Sequence, residues 1–289
     1  MPLPERLTIR NGPMMARFSP QQGGRMTHLA HEVLGNILVP MGEGVFDPWH
    51  WPKAGAYPLF PYHNRLAGAG FRYAAQDYTL LPHPALGADA MHGPAHRRAW
   101  SVLSHGSNTV ELSLDYRADA DWPFDFAAIQ RFRLNSDGMD IELVLRNSGT
   151  VSMPGGFGWH PYLAIGAANL IRSDAALNWP LDAVDVPTGE APDPRQPAPP
   201  LPTANFTIHL SDWKTMDAVL DGGARIHLTA DAALPHLVAH RTPAYACLEP
   251  VSHVAGAFGF SPEKQQRAGL LQLKRGEEVT GKVCLSIRS

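Results

Sequence analysis

Short stretches that alternate between apolar and polar residues recur along most of this chain. In Met139-Asp140-Ile141-Glu142-Leu143-Val144-Leu145-Arg146, Met139, Ile141, Leu143 and Leu145 share one face, the period of two that a half-buried strand needs. Just upstream, Phe132 and Leu134 alternate with Arg131 and Arg133. Between the two runs, Asn135-Ser136-Asp137-Gly138 reads as a hairpin turn, because Asp-Gly tolerates positive φ. Residues 111–116 alternate likewise. Phe71-Arg72-Tyr73 and Tyr78-Thr79-Leu80 flank residues 74–77 as a second hairpin, and residues 224–229 and 278–287 carry the pattern on.

No long stretch sustains a 3.6-residue period, and 26 glycines and 27 prolines interrupt the chain throughout. The expectation is an all-β protein, a large antiparallel β-sandwich with many loops rather than an α/β fold. One segment differs in composition: residues 187–202 contain Pro187, Pro192, Pro194, Pro197, Pro199, Pro200 and Pro202. Strand-like patterns of the same character resume on both sides. This segment therefore reads as a semi-rigid surface loop within a single domain spanning residues 1–289.

The 289 residues are 44% hydrophobic, enough to bury a large core. A net charge of −3 argues against nucleic acid or an anionic membrane as partner, since either needs a basic surface. The start, Met1-Pro2-Leu3-Pro4-Glu5-Arg6, is not a basic-then-apolar signal, and no apolar run reaches the roughly 18–20 residues that span a bilayer. A cytoplasmic protein is expected. Cys247 and Cys284 form no disulfide framework and suit a reducing compartment, with a single bridge left open.

Two titratable residues stand in matching frames. Glu249 ends the apolar run Tyr245-Ala246-Cys247-Leu248 and precedes Pro250; His160 lies in Gly158-Trp159-His160-Pro161-Tyr162. A proline pushes the residue before it toward extended backbone, so both read as strand-end residues, and a carboxylate with an imidazole can run acid–base chemistry. Glu249 sits where solvent is scarce, which raises a carboxyl pKa. Each has a bland reading, as a surface or hydrogen-bonded core residue. Asn64 and Arg65 form a polar pair inside an apolar, proline-rich loop, where the arginine fork suits hydroxyl recognition and the nearby aromatics suit a sugar face.

His92-Gly93-Pro94-Ala95-His96 has the spacing of a helical metal site, but Gly93 and Pro94 oppose that helix; no metal is expected. His92 remains a candidate ligand donor. Cys247 reads as an inert buried thiol rather than a nucleophile. Gly23-Gly24 and Gly222-Gly223 fit no nucleotide-binding fingerprint.

In order, Pro61-Tyr62-His63-Asn64-Arg65-Leu66 with Gly70-Phe71, His92-Gly93 with Arg98-Ala99-Trp100, His160-Pro161-Tyr162 and Glu249-Pro250 resemble the segments of the aldose 1-epimerase (galactose mutarotase) family in its bacterial branch. The resemblance implies the family's β-supersandwich, with a monosaccharide as partner, no cofactor, and an open cleft. It implies Glu249 as general base and His160 as general acid, facing the sugar from opposite sides, with Arg65, His92, Asn64 and Asp217 binding around the ring. Residues 94–98 lack the family's Gly-Trp-Gln pattern, and His63 stands where a small residue is common.

The implied reaction needs Glu249 ionised and His160 protonated. Ordinary values near 4.3 and 6.5 leave the histidine mostly neutral at pH 7, so nearby carboxylates or hydrogen bonds are expected to hold it charged. The alternatives are a sugar-binding or sensing protein without turnover, a mutarotase for a phosphorylated or sulfonated sugar gripped by Arg97 and Arg98, and a zinc hydrolase. The sequence leaves oligomeric state and sugar identity open.

Overall fold

The computed structural model describes residues 6–166, 169–196, 198–199, 201, 203, 205–220 and 223–288. Strands Phe126–Leu134 and Gly138–Asn147 pair antiparallel from Phe126↔Asn147 to Leu134↔Met139, closing on the expected turn. Along the first, Phe126, Ala128, Gln130, Phe132 and Leu134 are buried while Arg131 and Arg133 are exposed, the period of two made physical. The hairpin of Gly70–Tyr73 and Gln76–Thr79 turns more tightly than expected. Only Ala74 and Ala75 form its loop, both left-handed at φ 49° and 63°, the twist a two-residue hairpin favours.

Among the described residues, two large antiparallel sheets carry the fold. The ten-stranded sheet runs, edge to edge, through Leu7–Asn11, Met14–Ser19, Arg25–His31, Ala56–Leu59, Gly158–Pro161, Ala246–Val251, His236–Arg241, Phe206–Ser211 and Leu177–Asn178, with Gly35–Asn36 appended. The eight-stranded sheet runs through Ser101–His105, Thr109–Tyr116, Phe126–Leu134, Gly138–Asn147, Glu278–Arg288, Arg225–Ala230, Thr215–Val219 and Ile171–Ser173. The only α-helix among those residues is Pro262–Arg267, and none is long and apolar enough to cross a membrane. This is the β-sandwich that the alternation predicted.

Side chains from the facing sheets fill the interior. Phe18 of one sheet and Phe132 of the other meet at 4.7 Å, and the main core cluster draws on residues from Leu7 to Leu285. Each fully buried large apolar side chain contributes about 1.5–3 kcal/mol. In the 187–202 loop, Pro197, Pro200 and Pro202 lie outside the described residues, while Leu201 packs into the core.

The middle of the ten-stranded sheet is covered on both faces. Trp159, Leu237, Ala239 and Leu248 point into the main core. Tyr57, Tyr162, Val238, Cys247 and Val251 form a second cluster with Trp51 on the other face. That outer face, walled by loops, holds the cleft.

Candidate active site

Strand register brings the acid–base candidates together. Gly158 pairs with Val251, and Leu163 with Ala246, so the antiparallel register sets His160 directly opposite Glu249, side chains on the same face. Nε2 of His160 lies 3.2 Å from Oε1 of Glu249. Gly158 permits this approach of the strands, because a Cβ there would lie 2.6 Å from the Pro250 carbonyl oxygen. Both side chains are buried, and His160 Nδ1 and Glu249 Oε2 have no hydrogen-bond partner.

The expectation that they approach from opposite sides is therefore corrected: they are cross-strand neighbours, side by side. The expected protonation is corrected as well. Burial lifts the Glu249 carboxyl to about 8. Burial first, then the field of His92, Lys53, Arg25 and His240, holds the His160 imidazole well below its ordinary value. Among the described residues, no second carboxylate meets His160. Both shifts favour the proton on Glu249 over an imidazolium at neutral pH.

Above the pair opens a cleft of about 540 Å³ lined by His160, Glu249, Asn64, Arg65, His92 and further residues, within the ~300–1,000 Å³ usual for small-molecule sites. Its walls include Trp49, Trp51, Tyr162 and Tyr245, aromatic faces of the kind that pack against a sugar's C–H surface. A larger hollow of about 710 Å³ lies on the outer face of the eight-stranded sheet, where Arg131 is already bridged to Glu111 and Glu142. It holds neither candidate acid nor base.

His92 and Asn64 are mutually braced. Both are left-handed at φ 58°; the backbone N–H of Asn64 donates to His92 Nδ1 at 3.0 Å, and that of His92 to the Asn64 carbonyl at 3.0 Å. Nε2 of His92 therefore bears the proton. Gly93 follows at φ 64°, where a Cβ would sit 2.3 Å from the Phe60 carbonyl oxygen, so glycine is required. Asn64 Oδ1 accepts from the Arg65 N–H at 2.7 Å, leaving the amide nitrogen for the cleft. Arg65 is anchored by Asp89 at 2.9 Å, a partner the sequence did not disclose.

Asp217 is not in the cleft, contrary to expectation. Its strand belongs to the eight-stranded sheet, where Met216 and Ala218 fill the core and so turn Asp217 to the far face. There its carboxylate meets His227 Nδ1 at 2.8 Å. The cleft carboxylate that sequence reasoning missed is Asp185, left-handed at φ 60° in the 180–188 loop. An Asp in a short loop has no periodic signal to mark it. Lys53, Tyr57 and His240 were missed as well, since no local pattern marks them either.

Arg97 and Arg98 are also reassigned. Arg97 is buried against Asp121 at 2.8 Å, and Arg98 bridges Asp119 and Asp121 at 2.8 and 2.5 Å. Neither lines the cleft, so they are no grip for an anionic sugar. The His92–His96 pair forms no helical metal site: residues 95–97 make a 3-10 turn, and the two rings stand 6.2 Å apart at 89°. Among the described residues, His160, Cys247 and Glu249 are the group whose ligand atoms lie mutually within 4.8 Å. Burial, and then the neighbouring Glu249, push the Cys247 thiol well above its ordinary value.

A sequence profile of the aldose 1-epimerase family matches residues 5–285. The chain belongs to the aldose 1-epimerase family. It is 27% identical over 255 residues to the uncharacterized protein YphB of Escherichia coli K12, covering 81% of this chain and 84% of that protein. It is 33% identical over 120 residues to the uncharacterized YihR of the same organism, covering 41% and 38%. Among solved structures, a galactose mutarotase-like protein from Clostridium acetobutylicum superposes with a TM-score of 0.86 at 19% identity over 98% of this chain and 95% of that one. A putative aldose 1-epimerase from Escherichia coli K12 gives 0.82 at 23% identity over 98% and 99%. These likenesses establish the fold.

Proposed function

We propose that the protein is an aldose 1-epimerase that interconverts the α and β anomers of a free aldose by acid–base ring opening. One observation carries the reading: a buried imidazole and a buried carboxyl stand 3.2 Å apart at the floor of a sugar-sized cleft.

The chemistry is open to adjacent groups. The anomeric hydroxyl oxygen and the ring oxygen are bonded to the same carbon, so a base for one and an acid for the other can act from side by side. Proton transfer from Glu249 to His160 across their contact gives carboxylate and imidazolium. Glu249 then takes the anomeric hydroxyl proton while His160 protonates the ring oxygen, the C1–ring oxygen bond breaks, and an aldehyde forms. Rotation about C1–C2 exposes the other carbonyl face. Reclosure runs both transfers in reverse and leaves carboxylate and imidazolium, and return of the proton from His160 to Glu249 across their contact restores the starting pair. His92 Nε2–H, the Asn64 amide and the Arg65 guanidinium would donate to ring substituents, and Asp185 would accept from a hydroxyl.

Exchange NMR of an aldose panel at anomeric equilibrium tests this. Glu249→Gln and His160→Ala are each expected to lower the exchange rate about 10²–10⁴-fold, the usual worth of one general acid or base. Saturable sugar binding without exchange would instead favour a non-catalytic sensor.

A further inference from the structure

The row of cross-strand neighbours that includes His160 and Glu249 continues two strands further than the reaction requires. Tyr57 pairs with His160 on its other side, and Met26 with Ala56, which places Arg25 next to Tyr57. Arg25 is wholly buried, with its Cζ 4.5 Å from the Tyr57 ring centre on one side and 5.5 Å from the Phe46 ring on the other. The Tyr57 ring in turn stacks on His160 at 4.4 Å and 22°. Cation, phenol, imidazole and carboxyl thus stand in one line across four strands.

Among the described residues, this guanidinium has no carboxylate partner. Nη1 donates to the Ala54 carbonyl at 3.1 Å, while Nε and Nη2 have no hydrogen bond. Burial lowers its pKa only to about 10, so it stays charged at neutral pH. Buried charges are normally paired, and one that is not needs an explanation. The other groups bearing on His160 are Glu249 across the strand, Cys247 within 4.8 Å, Tyr162 at 4.8 Å, His92 at 5.2 Å, His96, and Lys53 and His240. Of these, Lys53 is exposed and open to screening, whereas Arg25 is shielded from solvent and screened much less.

We propose that Arg25 is a positioning residue for the acid–base pair: from behind Tyr57, its buried charge biases the shared proton toward Glu249 and makes the His160 imidazolium, once formed, quicker to protonate the ring oxygen. This rests on the mutarotase reading for its consequence, though not for its electrostatics. A unit charge roughly 9 Å away along the stack, at an effective dielectric of about 20, moves a titration by about one pH unit.

The test is the pH midpoint of the His160 imidazole, followed by NMR of histidine-labelled full-length protein and assigned by loss of the signal in His160→Gln. It is paired with the pH profile of aldose exchange. Arg25→Met should raise both by about one pH unit, and Arg25→Lys should leave both near the native position. Because a core arginine variant can fail to fold, Phe46→Glu provides a second arm. A carboxylate placed on the half-buried side of the guanidinium should cancel its field and raise the midpoint in the same direction, with Phe46→Leu as control. Midpoints unmoved in Phe46→Glu and in any folded Arg25→Met would overturn the proposal. Failure of the native protein to exchange any aldose would overturn the mutarotase reading instead, and the imidazole titration would still decide the role of Arg25.

Discussion

Asn64 and His92 fix each other's hydrogen-bonding roles: the Asn64 N–H points at His92 Nδ1 from 3.0 Å, which makes Nε2 the protonated nitrogen of a ring lining the cleft. Burial also drives the His92 pKa down to about 3, so the ring is a neutral donor at any working pH. A neutral hydrogen bond is worth about 0.5–1.5 kcal/mol. His92→Phe keeps an aromatic ring but removes the donor, and is expected to lower kcat/KM about 3- to 10-fold, mainly through KM. Steady-state exchange kinetics at several sugar concentrations check this. Unchanged kcat/KM would remove His92 from substrate binding.

The one-proton state of the catalytic pair sets the pH profile. With Glu249 lifted to about 8, that last proton leaves only as pH rises through about 8. With His160 held well below 6.5, a second proton enters only far on the acid side. Two ordinary groups would hold a single proton only between roughly 4.3 and 6.5. The exchange rate should therefore stay level through neutrality and fall above about pH 8, with the solution rate subtracted at each pH. A profile already falling between pH 6 and 7 would contradict it.

How far the sequence disclosed this arrangement depended on which faces of each strand are wet. Phe126–Leu134 and its hairpin partner have one solvent face, so alternation and the Asp-Gly turn gave their pairing. Ala56–Leu59, Gly158–Pro161 and Ala246–Val251 are buried throughout, so no alternation marks them, although they hold the whole catalytic row. Glu249 and His160 stood out only as titratable groups in apolar surroundings. Their direct contact depends on pairing between strands some ninety positions apart in sequence, which no local pattern encodes. Tyr57 stands at the head of the stretch that reads as a proline-rich loop and Arg25 carries no local signal, and their alignment emerges only from register.

Beside the active site, with His209 and His236 on the same face of the ten-stranded sheet, lies a second set of histidines whose consequence is for stability. His63, His209, His236 and His253 are all buried; burial holds His209 and His253 near 4, His236 near 3, and His63 well below 6.5. Because their folded values lie below the unfolded 6.5, the unfolded chain binds more protons as pH falls below about 6.5, and stability drops with it. Each ring held near 4 costs about 2 kcal/mol at pH 5, so several together rival a typical total of about 5–15 kcal/mol. Glu249, raised to about 8, runs the other way, its contribution being lost as pH rises through about 8. The several histidines outweigh it on the acid side, so urea midpoints should fall from pH 7.5 to pH 5 and fall modestly again above pH 7. Equal midpoints at both pH values would mean the rings are charged or hydrated in the fold.

Asp217 and Asp185 invite a paired substitution, because sequence alone favours one and the fold the other. Asp217 is tied to His227 on the far face of the eight-stranded sheet, so Asp217→Asn should leave kcat/KM within about twofold. Any effect should appear as a stability loss of up to about 1 kcal/mol, the usual worth of a partly exposed ion pair. Asp185 lines the cleft, and Asp185→Asn replaces a charged acceptor by a neutral one. Hydrogen bonds to charged groups contribute about 1.5–3 kcal/mol, so kcat/KM should fall roughly 10- to 100-fold with the melting temperature little altered. Measuring both variants on one aldose decides between the two carboxylates. A large loss in Asp217→Asn with none in Asp185→Asn would mean that sugar binds away from the His160–Glu249 cleft.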